Sequence, residues 1–284
     1  MRPPFPFVCY ATFMQPYVVL EKKVGETPLQ CAEAWRATQS PALKDIPLAY
    51  AGRLDPMASG KLLILIGDEC KRQTNYHSLN KAYDFSVLLG VASDTADVLG
   101  IVTATKPSNI PQSELRAVAR DMVGDIELPY PHYSSKTVQG KPLHTWTLEG
   151  RLGEIIIPTK QSTIYNLSIQ QLETMTTQDI YTKALLKIDS LPPVTDSRKS
   201  LGNDFRRVDV KASWETFLDT HPDTTWQIAH FHAIATSGTY MRTLAEVIAN
   251  RLGTTGLAWS IHRTAIGQYR PLPFTLGYWS RRYQ

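Results

Sequence analysis

Cysteine is scarce in this 284-residue chain: only Cys9, Cys31 and Cys70 occur. The count is odd, the spacing is wide and no C-x-x-C pair appears, so neither a disulfide framework nor a thiolate zinc set is available. Histidine offers no ligand pattern either. Seven are present, and the closest to one is His230-Phe231-His232, where strand alternation would put both rings on one face without a third ligand. No metal is expected. The glycines form no phosphate-cradling fingerprint. No apolar run approaches the roughly 20 residues that cross a bilayer, and the N-terminus MRPPFPFVCYATFMQPYVVLEKK is broken by proline and lacks the apolar core of a signal peptide. The expectation is a cytoplasmic chain with reduced thiols and no membrane partner.

Charge of one sign is barely in excess. Thirty Lys and Arg against 26 Asp and Glu give +4, compatible with a polyanionic partner but equally with many soluble enzymes. Hydrophobic residues make up 43% and charged residues 20%, and at this length burial does not limit folding.

Periodicity supplies the elements. Tyr17 to Lys22 reads as a strand and Leu29 to Thr38 as a helix. The unbroken run GKLLILIGD predicts a strand buried on both faces. A short helix is expected over CKRQTNYHSL, a strand over KAYDFSVLLG, and a loop then a strand over SDTADVLGIVTATK. A helix follows over Ser113 to Val123, then a Pro- and Tyr-rich loop, LPYPHYSSKTVQGKPLHTW. Strands are expected at Ile155–Ile157 and at Ile164–Leu172. Between about 176 and 225 two helical pieces, DIYTKALLKI and ASWETFLDTH, flank the polar stretch LPPVTDSRKSLGNDFRRVDVK, read as an insertion or mobile basic loop. TWQIAHFHAIAT alternates as a strand, SGTYMRTLAEVIANRLGTT turns into an amphipathic helix, and AWSIHRTAIGQYR is the last strand. Strands dominate with no repeated βαβ unit, so the fold class is α+β with a large mixed or antiparallel sheet.

The chemistry gathers around AYAGRLDPMASGKLLILIGDECKR, where Asp55 stands between a small-residue turn and the apolar run. Asp-Pro is a common turn former, so Asp55 alone is ambiguous. Arg242, in SGTYMRTLAEV, falls where a turn enters a helix, and an Arg near a carboxylate favours its ionised form and fixes its orientation. Such an Asp suits a nucleophile or base. Tyr83, in KAYDF, offers a flat face for an unstacked base. Spacing alone cannot bring these three together, and each could equally be a surface or core residue. Asp94 and Asp97 read as a solvated turn. The basic pairs, among them Lys22-Lys23, Lys71-Arg72, Arg198-Lys199 and Arg206-Arg207, read as solvated faces.

These segments together resemble the TruB family of pseudouridine synthases. GRLDPMASG followed by LLILIGDECK is similar to the family's G-x-L-D-P-x-A-S/T-G, apolar strand and G-x-x-x-K. KAYDFSVLLGVASDTADVLGIV resembles its K-x-Y strand and acidic segment, PYPHYSSKTVQGKPLH its loop ending in Q-G-K, SGTYMRTLAEVIANRLGTTG its K-G-T-Y-I-R-T helix, and HRTAIGQY its closing strand. Five matches in order cover roughly residues 17–170 and 225–270. The resemblance implies one catalytic domain over 1–284 with helices flanking a central sheet and an RNA-binding cleft. It implies isomerisation of uridine to pseudouridine in RNA without cofactor or metal, with tRNA as partner through its T arm and the T-loop uridine at tRNA position 55 as target. Asp55 would be the essential aspartate, buried and ion-paired with Arg242, and Tyr83 would stack on the flipped uracil. RNA contacts would come from Tyr50, Gly52, Arg53 and Lys22. Further contacts would come from Lys71, Lys136, Lys141 and Tyr240.

The chain departs from the family pattern at several places. Tyr50 stands where His is usual, Lys22-Lys23-Val24-Gly25 replaces K-P-x-G, and His262-Arg263-Thr264 replaces R-R-L. No C-terminal PUA-type domain is expected, and Arg198, Lys199, Arg206 and Arg207 are expected to contact phosphates in its stead. A monomer is expected. Two other readings stand beside this one: an RNA-binding or tRNA-folding protein with little catalysis, and a guide-RNA-dependent rRNA synthase, against which the missing PUA-type domain counts.

Overall fold

A computed structural model describes residues 15–193, 203–273 and 276–284. In chain order the elements are β1 (Tyr17–Lys22), α1 (Pro28–Ala37), β2 (Leu48–Tyr50), β3 (Ala58–Ile66), β4 (Asn80–Leu89), β5 (Val91–Ser93), β6 (Val102–Thr105) and α2 (Gln112–Asp121). Then come β7 (Gly124–Pro129), β8 (Thr137–Val138), β9 (Lys141–Pro142), α3 (Leu143–Leu148), β10 (Thr159–Thr176), α4 (Thr177–Asp189) and α5 (Asn203–Thr220). The chain closes with β11 (Thr225–Ala235), α6 (Met241–Arg251), β12 (Gly256–Pro271) and β13 (Gly277–Tyr283). Among the described residues no helix is long and apolar enough to cross a membrane.

Nine strands form one sheet in the order β1-β3-β12-β4-β11-β10-β7, with β13 added to β12 and β2 to β3. The Leu62–Ile66 run of β3 is buried on both faces, as its unbroken apolar character predicts. All its pairings are antiparallel except β3 with β12, which run parallel over Ala58–Gly60 and Ile261–Arg263. That junction allows no side chain at position 60. Gly60 has φ +105°, and a Cβ there would lie 2.3 Å from the Arg263 carbonyl oxygen. Along β4, Tyr83, Phe85 and Val87 face α6, while Asp84 and Ser86 face the opposite side with His230, His232 and His262.

The segment 176–225 carries α4 and α5, which match the two expected helical pieces, but it differs from an inserted basic loop: α5 begins at Asn203, inside the polar stretch, and Ile180, Ala184, Ile188, Val210, Trp214 and Phe217 are buried in the main core. The i, i+4 spacing of 180, 184 and 188 makes one apolar stripe, and 210, 214 and 217 make the facing one. Trp214 Nε1 donates to the Val98 carbonyl at 3.2 Å and Trp226 Nε1 to the Thr177 hydroxyl at 2.9 Å, so both indoles are buried with their polar atom satisfied. Thr176 caps α4 through its side chain, which accepts from the Asp179 amide. The far end of α4 meets the turn after β1, where a Cβ on Gly25 would fall 2.3 Å from the Ser190 carbonyl oxygen.

The strand expected at Ile155–Ile157 is absent. A short 3₁₀ turn, Leu152–Glu154, is followed by irregular chain in which Ile156 is 89% exposed, and pairing starts only at Thr159, after Pro158. Three consecutive apolar residues without a partner strand do not make a ladder, and proline cannot donate to one.

Candidate active site

Asp55 lies in the loop between β2 and β3, one turn before the parallel junction. The Ala58 amide closes that turn on the Asp55 carbonyl at 3.0 Å, and the Pro56 carbonyl accepts from the Gly25 amide at 2.9 Å. Proline fixes φ and the two backbone bonds fix the rest, so the carboxylate is presented by a braced loop. It is not buried: its side chain is 41% exposed. The buried partner is Arg242, the second residue of α6, whose side chain is 6% exposed.

Arg242 Nε stands 2.8 Å from Asp55 Oδ2 and 3.7 Å from Asp97 Oδ2, with its N–H aligned on neither, so both contacts are ion pairs first. The rest of the guanidinium is spent on backbone: Nη1 donates to the Thr95 carbonyl at 2.9 Å and Nη2 to the Tyr133 carbonyl at 3.3 Å. Burial works against the charge of Arg242, but Asp55 and Asp97 outweigh it and hold its pKa above the ordinary value. Asp97 corrects the sequence expectation of a solvated turn, because α6 lies over it and leaves it 5% exposed. Burial pushes its carboxyl up to about 6, against the pull of Arg242 and of bonds from the Thr95 hydroxyl and Leu99 amide; Asp55 adds to the rise. One turn along α6, Glu246 is pushed up to about 7, by burial first, with Arg242 opposing and Asp97 adding.

Asp55 and Arg242 open onto a cleft of about 400 Å³. Tyr83 lines it, 8% exposed, paired across the sheet with Ala233 on one side and Arg263 on the other. Burial raises the Tyr83 phenol, with the Arg263 charge opposing. Arg263 is 1% exposed and ties the cleft together: Nε donates to the Lys61 carbonyl at 2.7 Å, Nη1 to Arg53 at 3.3 Å and Nη2 to Gly52 at 3.2 Å. Lys81, two residues before Tyr83 and so on the same face, donates to the Leu79 carbonyl and the Ser237 hydroxyl, and burial brings its ammonium down to about 7.

The structure brings together Asp55, Arg242, Tyr83, Gly52, Arg53 and Tyr240, all of which line this cleft. Tyr240 meets Tyr130 edge-on at 5.6 Å, and Arg53 is exposed at the mouth. Other expected RNA contacts lie elsewhere. Lys22 is 0% exposed and donates to the carbonyls of Lys23 and Glu26 at 2.8 and 2.7 Å; it pins its own turn and is not an RNA contact. Tyr50 packs on the α1 flank with Cys31 and Ile64, because β2 turns it to that face. Lys71 is exposed and paired with Asp68, Lys141 is paired with Glu149 over the Trp146 ring, and Lys136 is exposed beside Tyr130.

The basic segment departs from expectation as well. Arg207 is held by Asp204 and the carbonyls of Ile188 and Leu191, and Arg206 by Asp94, so both face the protein and are not free phosphate contacts. Arg198 and Lys199 lie outside the described residues. His230 and His232 do share a face, each with its own carboxylate, Glu173 and Asp84, and among the described residues no three metal-ligating side chains converge. Asp97, Lys81, Glu246 and Arg263 are the site residues that sequence reasoning missed. All four lie inside segments that carry the family resemblance, and Lys81 also left a positional signal, its i, i+2 relation to Tyr83.

A mixed sheet whose parallel junction presents an arginine-backed aspartate beside a buried tyrosine defines the class. The fold is that of a chain in the crystal structure of a Cbf5-Nop10-Gar1 complex, with a TM-score of 0.52 at 14% identity over 88% of this chain and 48% of that one. Residues 43–187 match the family model of the TruB family pseudouridylate synthase N-terminal domain, and the chain belongs to that family. Among its relatives, tRNA pseudouridine synthase B of Caldicellulosiruptor saccharolyticus is 32% identical over 55% of this chain and 52% of its own length. tRNA pseudouridine synthase 4 of Saccharomyces cerevisiae is 34% identical over 44% of this chain and 31% of its own. tRNA pseudouridine synthase B of Geobacillus thermodenitrificans is 28% identical over 90% and 68%. The match thus spans about half, or less, of the first two relatives and two thirds of the third.

Proposed function

We propose that this chain is a tRNA pseudouridine synthase that isomerises the T-loop uridine, acting as a cytoplasmic monomer, with Asp55 as its essential carboxylate. The observation that carries the reading is the cleft-exposed Asp55 with the buried Arg242 guanidinium 2.8 Å behind it and Tyr83 lining the same cleft. Family membership and the names of the relatives support tRNA as the substrate.

The reaction is an internal rearrangement. The ribose C1′–N1 bond breaks, the uracil turns, a C1′–C5 bond forms, the C5 proton leaves to solvent and N1 takes up a proton, so the product is an isomer and no net electrons or atoms are supplied from outside. The uridine must first leave its stack, at a cost of a few kcal/mol recovered by contacts in the pocket. Tyr83 offers its ring as the replacement stacking surface. Asp55, oriented by Arg242, attacks the base or the ribose or removes a ribose proton.

Tritium release from a tRNA transcript labelled at uridine C5 tests this. The parent chain should release tritium and Asp55→Asn should release none while still binding tRNA. Release from both would remove Asp55 from the chemistry. Tight tRNA binding without release from either would leave an RNA-binding protein.

A further inference from the structure

Beside the cleft, on the far side of Asp55 and Arg242, lies a second cavity of about 150 Å³. Its outer wall is built by the end of α4 and the residue Leu191 just beyond it, through Ile188 and Leu191, and by α5, through Arg206 and Val210. Tyr133 stands between the two cavities and lines both. Arg206 forms an ion pair with Asp94 Oδ2 and lays its guanidinium over the Tyr133 ring, with Cζ 4.7 Å from the centroid. The Tyr133 hydroxyl reaches the same Asp94 oxygen at 3.4 Å, and Asp94 Oδ1 accepts from the Ile101 amide at 2.9 Å. The Tyr133 carbonyl accepts from Arg242. One residue of the 130–136 loop is therefore held from outside by α5 and from inside by the arginine that orients Asp55. The side chains of Arg206 and Asp94 are only 18% and 23% exposed, which shields their attraction from water.

We propose that Arg206 is a positioning residue for the isomerisation: it clasps Tyr133 and Asp94 together, and so fixes the 130–136 loop and the Arg242 guanidinium against Asp55. The inference rests on the synthase reading above. It assigns α4–α5 a part in the chemistry in place of a phosphate-binding one. A planar guanidinium is needed, since it must pair with a carboxylate edge-on and stack on a ring face at once. Loss of the clasp frees Tyr133 to swing, withdraws one acceptor from Arg242 and lowers the rate of the bound complex without weakening its formation.

The test pairs a kinetic with a structural readout on the full chain. Under single turnover, Arg206→Ala should lower the saturating rate about tenfold with the tRNA Kd unchanged within twofold, and Arg206→Lys, which keeps the charge but not the stack, should fall between. Asp94→Asn combined with Arg206→Ala should be no slower than Arg206→Ala alone, because both break one clasp. Trypsin should cut after the exposed Lys136 faster in Arg206→Ala than in the parent at equal melting temperature. A weakened Kd with an unchanged saturating rate would make Arg206 an RNA contact and overturn the proposal. Equal cutting at Lys136 would show that no clasp holds the loop. Absence of tritium release by the parent chain overturns the synthase reading instead, and cutting at Lys136 still decides the clasp.

Discussion

Arg242 carries one positive charge and answers to three carboxyl groups, Asp55 and Asp97 at its Nε and Glu246 one turn along α6. One cation cannot hold three neighbouring carboxylates charged, and the two withdrawn from the cleft, unlike the half-exposed Asp55, have raised carboxyls, Asp97 about 6 and Glu246 about 7. A carboxyl raised in the folded state binds more protons there than in the unfolded chain, so its cost is absent below its ordinary range and complete above its folded value. Glu246 thus destabilises the fold progressively as pH climbs from 4.5 through about 7. Urea unfolding of Glu246→Gln should match the parent at about pH 4.5 and exceed it by about 2 kcal/mol at about pH 8. Each tenfold rise in proton affinity on folding costs about 1.36 kcal/mol, and partial solvation reduces the total. Equal midpoints at the higher pH would show that Glu246 is solvated. The grouping of Asp55, Tyr83 and Arg242 came from the segments that resemble the TruB family and not from their spacing, whereas Asp97 and Lys22 were misread. Their burial is imposed by α6 and by the chain's own turn, which leave no mark at those positions in the sequence.

The helix pair α4–α5 works as a wall and not as a loop. Trp214 is fully buried, meets Trp259 at 6.3 Å and donates to the Val98 carbonyl, one residue beyond Asp97. Trp214→Ala would empty that space and orphan the carbonyl, costing about 3–5 kcal/mol. The measurement is the urea midpoint, and a loss under about 1 kcal/mol would mean that the wall closes up behind the missing ring. The apolar stripes that dock these helices were present at 180, 184 and 188 and at 210, 214 and 217. The polar stretch between them obscured the pattern, since its charges read as exposed although Arg206 and Arg207 turn inward to Asp94 and Asp204. The strands were easier to read. An unbroken apolar run such as Leu62–Ile66 admits no exposed face, whereas Ile155–Ile157 is too short to enforce pairing.

At the scale of the whole molecule, a net charge of +4 is a weak attractor for RNA, so which cations face outward matters more than how many there are. Lys22, Lys81, Arg242 and Arg263 are all buried, and Arg206 and Arg207 are held by carboxylates. Arg53 is different: its side chain is exposed at the mouth of the cleft, while its carbonyl is anchored to Arg263 from behind. An exposed cation on an anchored backbone can meet a phosphate without ordering the loop that carries it. Arg53→Gln should therefore weaken tRNA binding and flatten the dependence of log Kd on log salt by about one unit, the share of one released counterion. Lys22→Met should leave that slope alone, because its ammonium is enclosed by the Lys23 and Glu26 carbonyls. Titrations at several salt concentrations separate the two. An unchanged slope for Arg53→Gln would move the phosphate track away from the cleft mouth, toward the exposed lysines at 71 and 136.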